Sequence, residues 1–407
     1  MSRRFPRPDS LTVGALLTVL TALGQMSTSL YTPSMPSMAT ALGTTAEQVN
    51  LTFGVFLVGF AVSQLVYGPL SDRYGRRPVL LVGLVVFLLA SYACTTAESI
   101  ETLIFFRFIQ AVGACSGQTL ARAVVRDVHG ATGAARIYAY IGAALAVSPA
   151  VMPIIGGYLQ LWFGWRSVFL ALTAIAALAL LGSLMLLQET NRNPDPKATR
   201  PRQLLATYAT LLRSPQYLGF TGAVTFIFAG LMAFSAISPF IFIQLLGLEP
   251  HIFGMLNVVS VCGFLTGTLL AGRYAARVGI ARLLRLGTLC TIAGGAAMTG
   301  FALAGVLGVW VIILPFAAFT FGMGFVLPNG MAGAMAPFPR IAGSASALLG
   351  FIQMGTSALV ATLLGRLAMH SQLPLAVAIL VLALLAALCA WLATRQTDHS
   401  ADHSPAS

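Results

Sequence analysis

The sequence predicts an all-α membrane protein in which twelve transmembrane helices form two pseudo-symmetric six-helix halves. Three observations predict this class. Only 8% of the 407 residues are charged while 57% are hydrophobic, the apolar residues form long runs, and the basic residues cluster in alternate connections between the runs. Because a soluble domain carries about 25% charged residues, a chain this apolar cannot present water-facing side chains over its whole surface.

The apolar runs predict helices rather than strands. A membrane-spanning helix needs ~20 predominantly apolar residues, whereas barrel strands alternate polar and apolar side chains over ~10 residues. The runs here are continuous and of helical length. They lie at approximately residues 11–32, 48–70, 77–96, 102–122, 135–157, 165–187, 217–245, 252–272, 282–303, 306–329, 341–365 and 373–394.

The basic residues predict the topology. Of the 23 Lys and Arg residues, 20 fall near the two chain ends or in the connections that follow even-numbered helices. Cytoplasmic loops of membrane proteins carry an excess of Lys and Arg, so we expect both termini in the cytoplasm of a bacterial inner-membrane protein. Topology then accounts for the net charge of +12, and we expect no nucleic-acid partner.

One long polar stretch, residues 188–215, separates the sixth and seventh runs. We expect a six-helix half at 1–187, a cytoplasmic linker loop at 188–215, and a second six-helix half with a short polar tail at 216–407. The halves echo each other, because DRYGRR at Asp72 and GRYAAR at Gly272 are offset by 200 residues. Paired repeats of this kind are typical of secondary transporters, whose substrate sites lie near the bilayer midplane.

The first motif, GPLSDRYGRRPVLL, occupies residues 68–81 between the second and third runs. Gly68 permits close backbone approach, and the Asp72 carboxylate can pair with the nearby arginines or cap the N-terminus of a neighbouring helix. The pattern resembles the signature loop of the major facilitator superfamily, which implies the major facilitator fold. In that family the loop latches the cytoplasmic gate. The resemblance therefore implies a gating role for Gly68, Asp72, Arg73, Gly75 and Arg76.

The second motif, FFRFIQAVGACSGQTLARAVVRD, occupies residues 105–127 and places Arg107 within the fourth helix. A buried arginine costs on the order of 2.5–3.5 kcal/mol on insertion scales and usually lines a cavity or a proton relay. The alternative is that the Arg107 side chain snorkels to the periplasmic end of the helix, because Arg107 lies only six residues after Glu101. With Gln110, Arg107 resembles a superfamily pattern that implies proton transfer, and the ending ARAVVRD resembles Bcr/CflA-type drug-resistance transporters.

The third motif, SPAVMPIIGGYL at residues 148–159, lies in the fifth helix. Its Pro153, Gly156 and Gly157 thin and bend the helix, which is tolerated where neighbours satisfy the freed backbone groups. The Pro-x-x-Gly-Gly core resembles the antiporter branch of the superfamily, although Ser148 and Met152 stand where two glycines are expected. The resemblance implies an exporter, with these three residues in its gating region.

The fourth motif, LPNGMAGAMAPFPRIAGSASALLGFIQMGTSALV at residues 327–360, also resembles the Bcr/CflA pattern. Its run of small residues predicts close helix packing. Gln353 is different, because an amide in a membrane helix needs a hydrogen-bond partner, which a ligand could supply. The resemblance spans both halves, roughly residues 10 to 395.

The first helix ends in MSTSLYTPSMP, residues 26–36, which resembles the Bcr/CflA sequence D-M-Y-x-P-x-x-P with Ser29 in place of the acid. In that family the carboxylate is thought to couple substrate to protons. All eleven acids and five histidines of this chain fall in loops, tails or near helix ends. Neutral substrates are therefore favoured over lipophilic cations, and proton coupling has to use a group nearer a helix end. The hydroxyls of this stretch can also bond back to helix carbonyls.

The candidate site residues form two further groups beside the gating residues. Substrate-binding candidates offer directional polar groups or aromatic surface, as ligand sites require: Gln25, Ser29, Tyr31, Gln110, Phe234 and Gln353. Coupling candidates are Arg107, Asp127 and Glu101, with Asp72 as a further acid.

These patterns predict a monomeric exporter of small neutral or weakly polar drugs, phenicol-like compounds being the guess from the family. We expect alternating access driven by a proton gradient. The alternative is an uncoupled facilitator or metabolite exporter of the same fold, which the missing carboxylate supports. No nucleophile–base pair, metal cluster or phosphate loop is evident in the sequence, so we expect neither an enzyme nor a bound cofactor.

Overall fold

All regular secondary structure in the described residues is helical. A computed structural model describes residues 11–133, 135–191, 193–367 and 371–402. The N-terminal segment through residue 10, expected above to be cytoplasmic, lies outside the described residues. The helices are α1 Leu11–Ser29, α2 Met35–Ala41, α3 Ala46–Tyr74, α4 Arg76–Thr95, α5 Ile100–Gly133, α6 Ala135–Phe163, α7 Arg166–Leu186, α8 Pro201–Leu212, α9 Pro215–Pro239, α10 Pro250–Val278, α11 Ile280–Leu303, α12 Val309–Met335, α13 Ala342–Leu367 and α14 Leu373–Asp402.

Twelve helical segments in the described ranges are long and apolar enough to cross a membrane. The predicted all-α class with twelve spans is confirmed. Apolar side chains cover the outside of these helices. Leu178 on α7 and Leu269 on α10, for example, remain 70% and 73% exposed, as expected for side chains that face lipid tails rather than water.

The first span is interrupted, and its sequence explains why. α1 ends at Ser29, a 3-10 turn follows at Thr32–Ser34, and α2 completes the span. Pro33 and Pro36 lack the backbone N–H that a continuous helix needs. The hydroxyls of Ser27 and Thr28 donate to backbone carbonyls one turn back, at 2.8 and 2.9 Å. These two hydroxyls are therefore satisfied within the helix, as the back-bonding interpretation expects.

Contacts between Cα atoms divide the chain into two compact units. The first unit comprises Met1–Leu204 with Leu248–Met255. Within it, α4 packs against α5 and α7, α3 packs against α5, and α1 packs against α5 and α6. These contacts hold six spans around α5 and α1.

The second unit comprises Leu205–Gly247 with Leu256–Ser407. Here α11 packs against α12 and α14, while α9 packs against α12, α13 and α14. The pairs α11–α12, α11–α14 and α9–α13 correspond in chain order to α4–α5, α4–α7 and α1–α6 of the first unit. The two units therefore share a pattern of helix pairing.

The linker differs from its prediction. Residues 188–215 were expected to form a loop, but they contain the twelve-residue helix α8. Its sequence, PRQLLATYATLL, begins with Pro, which is favoured in the first helical turn. The expectation of a loop is wrong for this part of the linker. The prediction relied on long apolar runs, and a short helix among polar residues has none.

Candidate functional site

Arg107 is the centre of a buried polar cluster in the first unit. Its side chain is completely enclosed, with 0% exposure. The Nη1 group donates to Gln110 Oε1 at 2.6 Å and lies 3.4 Å from the Ser27 carbonyl oxygen. Gln110 in turn donates through Nε2 to Ser91 Oγ at 2.9 Å. Arg107 and Gln110 meet because residues three apart share one face of a helix.

Aromatic rings surround the rest of the guanidinium. Its central carbon lies 4.4 Å from the Tyr31 ring centroid, 4.3 Å from that of Phe56 and 5.9 Å from that of Phe169. Electron-rich ring faces attract a cation held over them. The Tyr31 hydroxyl is engaged elsewhere, in a hydrogen bond with the Thr52 hydroxyl. The snorkelling alternative for Arg107 is therefore wrong.

No carboxylate balances Arg107 among the described residues. Its Nε and Nη2 atoms are buried without a hydrogen-bond partner in this part of the chain. An ionised group removed from water is costly unless other charges or dipoles compensate it. Here the compensation comes from rings and neutral oxygens, so the cluster keeps a net positive charge.

Helix α1 brings two of the substrate-binding candidates together. Gln25 Nε2 donates to Ser29 Oγ at 3.1 Å, and Ser29 is 8% exposed while Gln25 is half-buried. Tyr31 and Gln110 instead belong to the Arg107 cluster, with their polar groups engaged inside the bundle. A ligand-binding role for each of the four stays a prediction.

A second buried arginine, Arg76, lies where α3 ends and α4 begins. Its Nη1 pairs with Asp72 Oδ1 at 2.5 Å, and its Nε pairs with Asp127 Oδ2 at 3.0 Å. Nη1 also donates to Ser71 Oγ at 2.5 Å. Of the two alternatives for Asp72, the structure contains the ion pair with arginine.

The cap of α4 comes from a residue that sequence reasoning missed. Glu189 accepts hydrogen bonds from the backbone N–H groups of Arg76 at 2.9 Å and Arg77 at 3.0 Å. The first N–H groups of a helix have no partner within it, and the helix dipole favours an anion there. Gly75 makes room, because it has φ 99° and an added Cβ would lie 2.5 Å from Glu189 Oε2. Glu189 is 113 residues from Arg76 in sequence, so no local pattern indicates it.

The chain after Glu189 continues along the same end of α3. Asn191 Nδ2 donates to the Asp72 carbonyl oxygen at 2.9 Å, and the Asp195 N–H donates to the same oxygen at 3.0 Å. Arg73 Nη1 donates to Thr199 Oγ1 at 2.7 Å. We call residues 189–191 and 193–199 the strap, because they tie the start of the linker to the end of α3.

Gly68 is half-buried on α3. An added Cβ there would meet no described atom within 4 Å. The described residues therefore show no close backbone approach at Gly68, and its gating role stays a prediction.

The face of α6 that carries Gly156 and Gly157 packs against the backbone of two other segments. Gly156 faces the Leu30 carbonyl oxygen, in the interruption of the first span. At Gly157 an added Cβ would lie 2.5 Å from the His251 Cα, and Gly254 packs against the Pro153 carbonyl group. The motif thus allows close approach between α6 and these segments, while its gating role stays a prediction.

The three coupling candidates lie on α5 but do not meet. Glu101 is exposed in the first turn of α5, and Asp127 belongs to the Arg76 cluster. Arg107 and Asp127 are 20 residues apart, which is roughly 30 Å along a helix. Any coupling between them therefore has to travel through the helix or through other groups.

The other two substrate-binding candidates, Phe234 and Gln353, lie in the second unit. Phe234 is buried and stacks on Phe316, with ring centroids 3.5 Å apart and an interplanar angle of 9°. Gln353 lies half-buried on α13, and its backbone carbonyl accepts from Ser357 Oγ at 2.7 Å. The burial of Phe234 favours packing, whereas the half-buried amide of Gln353 remains a ligand-binding candidate.

Comparison with known proteins identifies the family. The model of the Major Facilitator Superfamily matches residues 17–361. "Multidrug resistance protein D" of Escherichia coli K12 is 34% identical, over 94% of this chain and 96% of its own length. The "Chloramphenicol resistance protein" of Pseudomonas aeruginosa is 32% identical, over 86% and 84%. A "Bicyclomycin resistance protein homolog" of Haemophilus influenzae is 26% identical, over 88% and 90%.

Solved structures agree at the level of the fold. A partially occluded, inward-open structure of the xylose transporter XylE from E. coli has a TM-score of 0.72 at 15% identity. It covers 94% of this chain and 97% of its own. The chain therefore belongs to the Major Facilitator Superfamily, as a multi-pass membrane transporter similar to Bcr/CflA-type drug-resistance proteins.

Proposed function

We propose that the chain is a secondary active exporter of small neutral or weakly polar antibiotics, with phenicols as the first candidates. The names of its relatives support drug export, since one is a multidrug resistance protein and another a chloramphenicol resistance protein. Export proceeds by alternating access in a bacterial inner membrane, with cytoplasmic termini and a monomeric chain.

The observation that carries the substrate class is the uncompensated charge of Arg107. Its guanidinium has neutral partners only among the described residues, and Ser29 stands where the resembling proteins carry an acid. In a medium of low dielectric constant, a fixed positive charge repels a cation over several ångströms. Neutral compounds with hydrogen-bond acceptors avoid this penalty, and phenicols belong to that class.

The proposed driving force is proton antiport through the end of α5. Asp127 contacts both Arg76 and, at 3.4 Å, the Thr190 hydroxyl of the strap. Protonation of Asp127 would remove one of the two negative partners of Arg76 and loosen this contact. A proton taken up there could therefore change the gate without an acid at the midplane.

The second candidate is an uncoupled facilitator or metabolite exporter. It is favoured by Ser29, which stands where the resembling proteins carry an acid, and by the engagement of Asp72 and Asp127 in ion pairs with Arg76. If Arg76 keeps both ion pairs throughout transport, neither Asp72 nor Asp127 serves as the proton site.

Efflux of a neutral phenicol from proteoliposomes, with and without an imposed pH gradient, tests the proposal. We expect saturable flux that accelerates with the gradient and loses this acceleration in Asp127→Asn. Saturable flux that ignores both the gradient and the membrane potential would establish the facilitator instead. Absence of flux for phenicols, with the protein monodisperse and folded, would contradict the substrate class.

A further inference from the structure

Helix α8 immediately precedes the membrane-spanning helix α9 in the chain. It ends at Leu212, and α9 begins only three residues later at Pro215. The connection is tight, because the Arg213 N–H bonds to the Ala209 carbonyl oxygen and Ser214 Oγ accepts from the Tyr217 N–H. The C-terminal end of α8 is therefore held near the level where the chain enters the bilayer.

The two faces of α8 differ in burial. Leu211 is fully buried, and Leu204 and Tyr208 are half-buried on the same side at helical spacing. On the adjacent face, about a quarter turn away, Leu205 is 67% and Leu212 is 47% exposed. Positions seven apart lie close together on a helix surface, so these two leucines form one exposed apolar stripe.

Basic residues lie close to this apolar stripe. Arg202 lies one turn before Leu205, and Arg213 directly follows Leu212, both exposed. The exposed Lys197 and Arg200 precede the helix. Asp195 is the sole acid between positions 193 and 214. The surface combines exposed leucines with positive charge, which is the pattern of helices that lie in the headgroup region of a bilayer.

We propose that α8 is an interfacial helix that binds the anionic headgroups of the adjoining membrane leaflet. Leu205 and Leu212 enter the boundary between headgroups and acyl chains, and Arg202 and Arg213 bind lipid phosphates. Polybasic segments next to a membrane helix are attracted to anionic lipid in this way.

The test uses the full chain in nanodiscs, with a fluorophore introduced through an unnatural amino acid at position 205. A second protein carries the same label at Thr210, an exposed polar position of α8. We expect a lipid-borne nitroxide to quench the label at 205 several-fold more than the label at 210, and aqueous iodide to show the reverse. Equal quenching at both positions would overturn the proposal. Shielding of position 205 from both quenchers would indicate a protein partner and would also overturn it.

Lipid charge provides the second arm. Quenching at 205 should increase when phosphatidylglycerol is added to phosphatidylcholine, and the double variant Arg202→Gln/Arg213→Gln should lose this increase. The matched control is Arg273→Gln/Arg277→Gln, which removes the same charge from two exposed positions near the end of α10. Loss of the lipid response in the control as well, or a wild type indifferent to phosphatidylglycerol, would contradict recognition by α8.

Discussion

Arg76 and Arg107 are both buried arginines of the first unit, yet their surroundings are opposite. Arg76 contacts two carboxylates, those of Asp72 and Asp127. Arg107 contacts aromatic rings and neutral oxygens. One positive charge is neutralised by its neighbours, while the other persists inside the helix bundle.

The difference separates two tasks that the same side chain can perform. An arginine between acids can hold a turn together and release it when an acid takes up a proton. An arginine without acids contributes a permanent field, which selects what can approach. We therefore propose that the Arg76 cluster acts as a latch and that the Arg107 cluster selects substrates by charge, and substitutions test each proposal.

The largest effect on transport is expected from Arg107→Met. Methionine fills similar space but removes the charge and its attraction to the Tyr31 and Phe56 rings. Because this charge is what repels cations in our account, its loss should raise efflux of a lipophilic cation about tenfold relative to efflux of a neutral phenicol, a change of about 1.4 kcal/mol. Parallel efflux assays of the two compounds from proteoliposomes measure it. Thermal stability should change little, because the variant also loses the cost of burying an unpaired charge.

Arg76→Met should lower stability more than Arg107→Met does. It leaves the Asp72 and Asp127 carboxylates close together without their shared cation. Hydrogen bonds to charged groups contribute about 1.5–3 kcal/mol each, but Asp72 remains 47% exposed, so water offsets part of the loss. We expect destabilisation of about 1–3 kcal/mol, measured by thermal unfolding in detergent. A larger loss of stability for Arg107→Met than for Arg76→Met would break the comparison.

Glu189→Ala sharpens the comparison at the Arg76 end. The variant removes the carboxylate that accepts from the first two N–H groups of α4. Loss of a helix N-cap costs about 0.5–2 kcal/mol, and thermal unfolding should report it. Glu98→Ala is the matched control, since Glu98 is exposed beyond the other end of α4. Equal stability of the two variants would mean that the cap contributes nothing.

The spans and the paired turn could be predicted because their signals are local. Long apolar runs specify the helices, and the spacing of Asp72 and Arg76 places both side chains at one turn. Glu189 could not be predicted, since its partners lie 113 residues away and an exposed-looking acid in a linker has no distinguishing pattern. Helix α8 was not predicted because its twelve residues contain no apolar run long enough to resemble a membrane span.

The surroundings of Arg107 illustrate the remaining gap. The sequence indicated an arginine in a membrane helix and the absence of a midplane acid. It did not indicate which rings would enclose the guanidinium, since Tyr31 comes from the interruption of the first span, Phe56 from α3 and Phe169 from α7. Those contacts depend on tertiary packing, and they decide between a buried cation and one that snorkels to the surface.

The most direct measurement of the central claim is the substrate selectivity of Ser29→Asp. We would compare efflux of a neutral phenicol and of a lipophilic cation from proteoliposomes, with Ser29→Asn as the uncharged control. If the uncompensated charge sets selectivity, the new carboxylate should raise cation export relative to phenicol export, while Ser29→Asn should retain the wild-type preference. Unchanged selectivity in a folded Ser29→Asp protein, or equal cation export by the wild type, would contradict the claim.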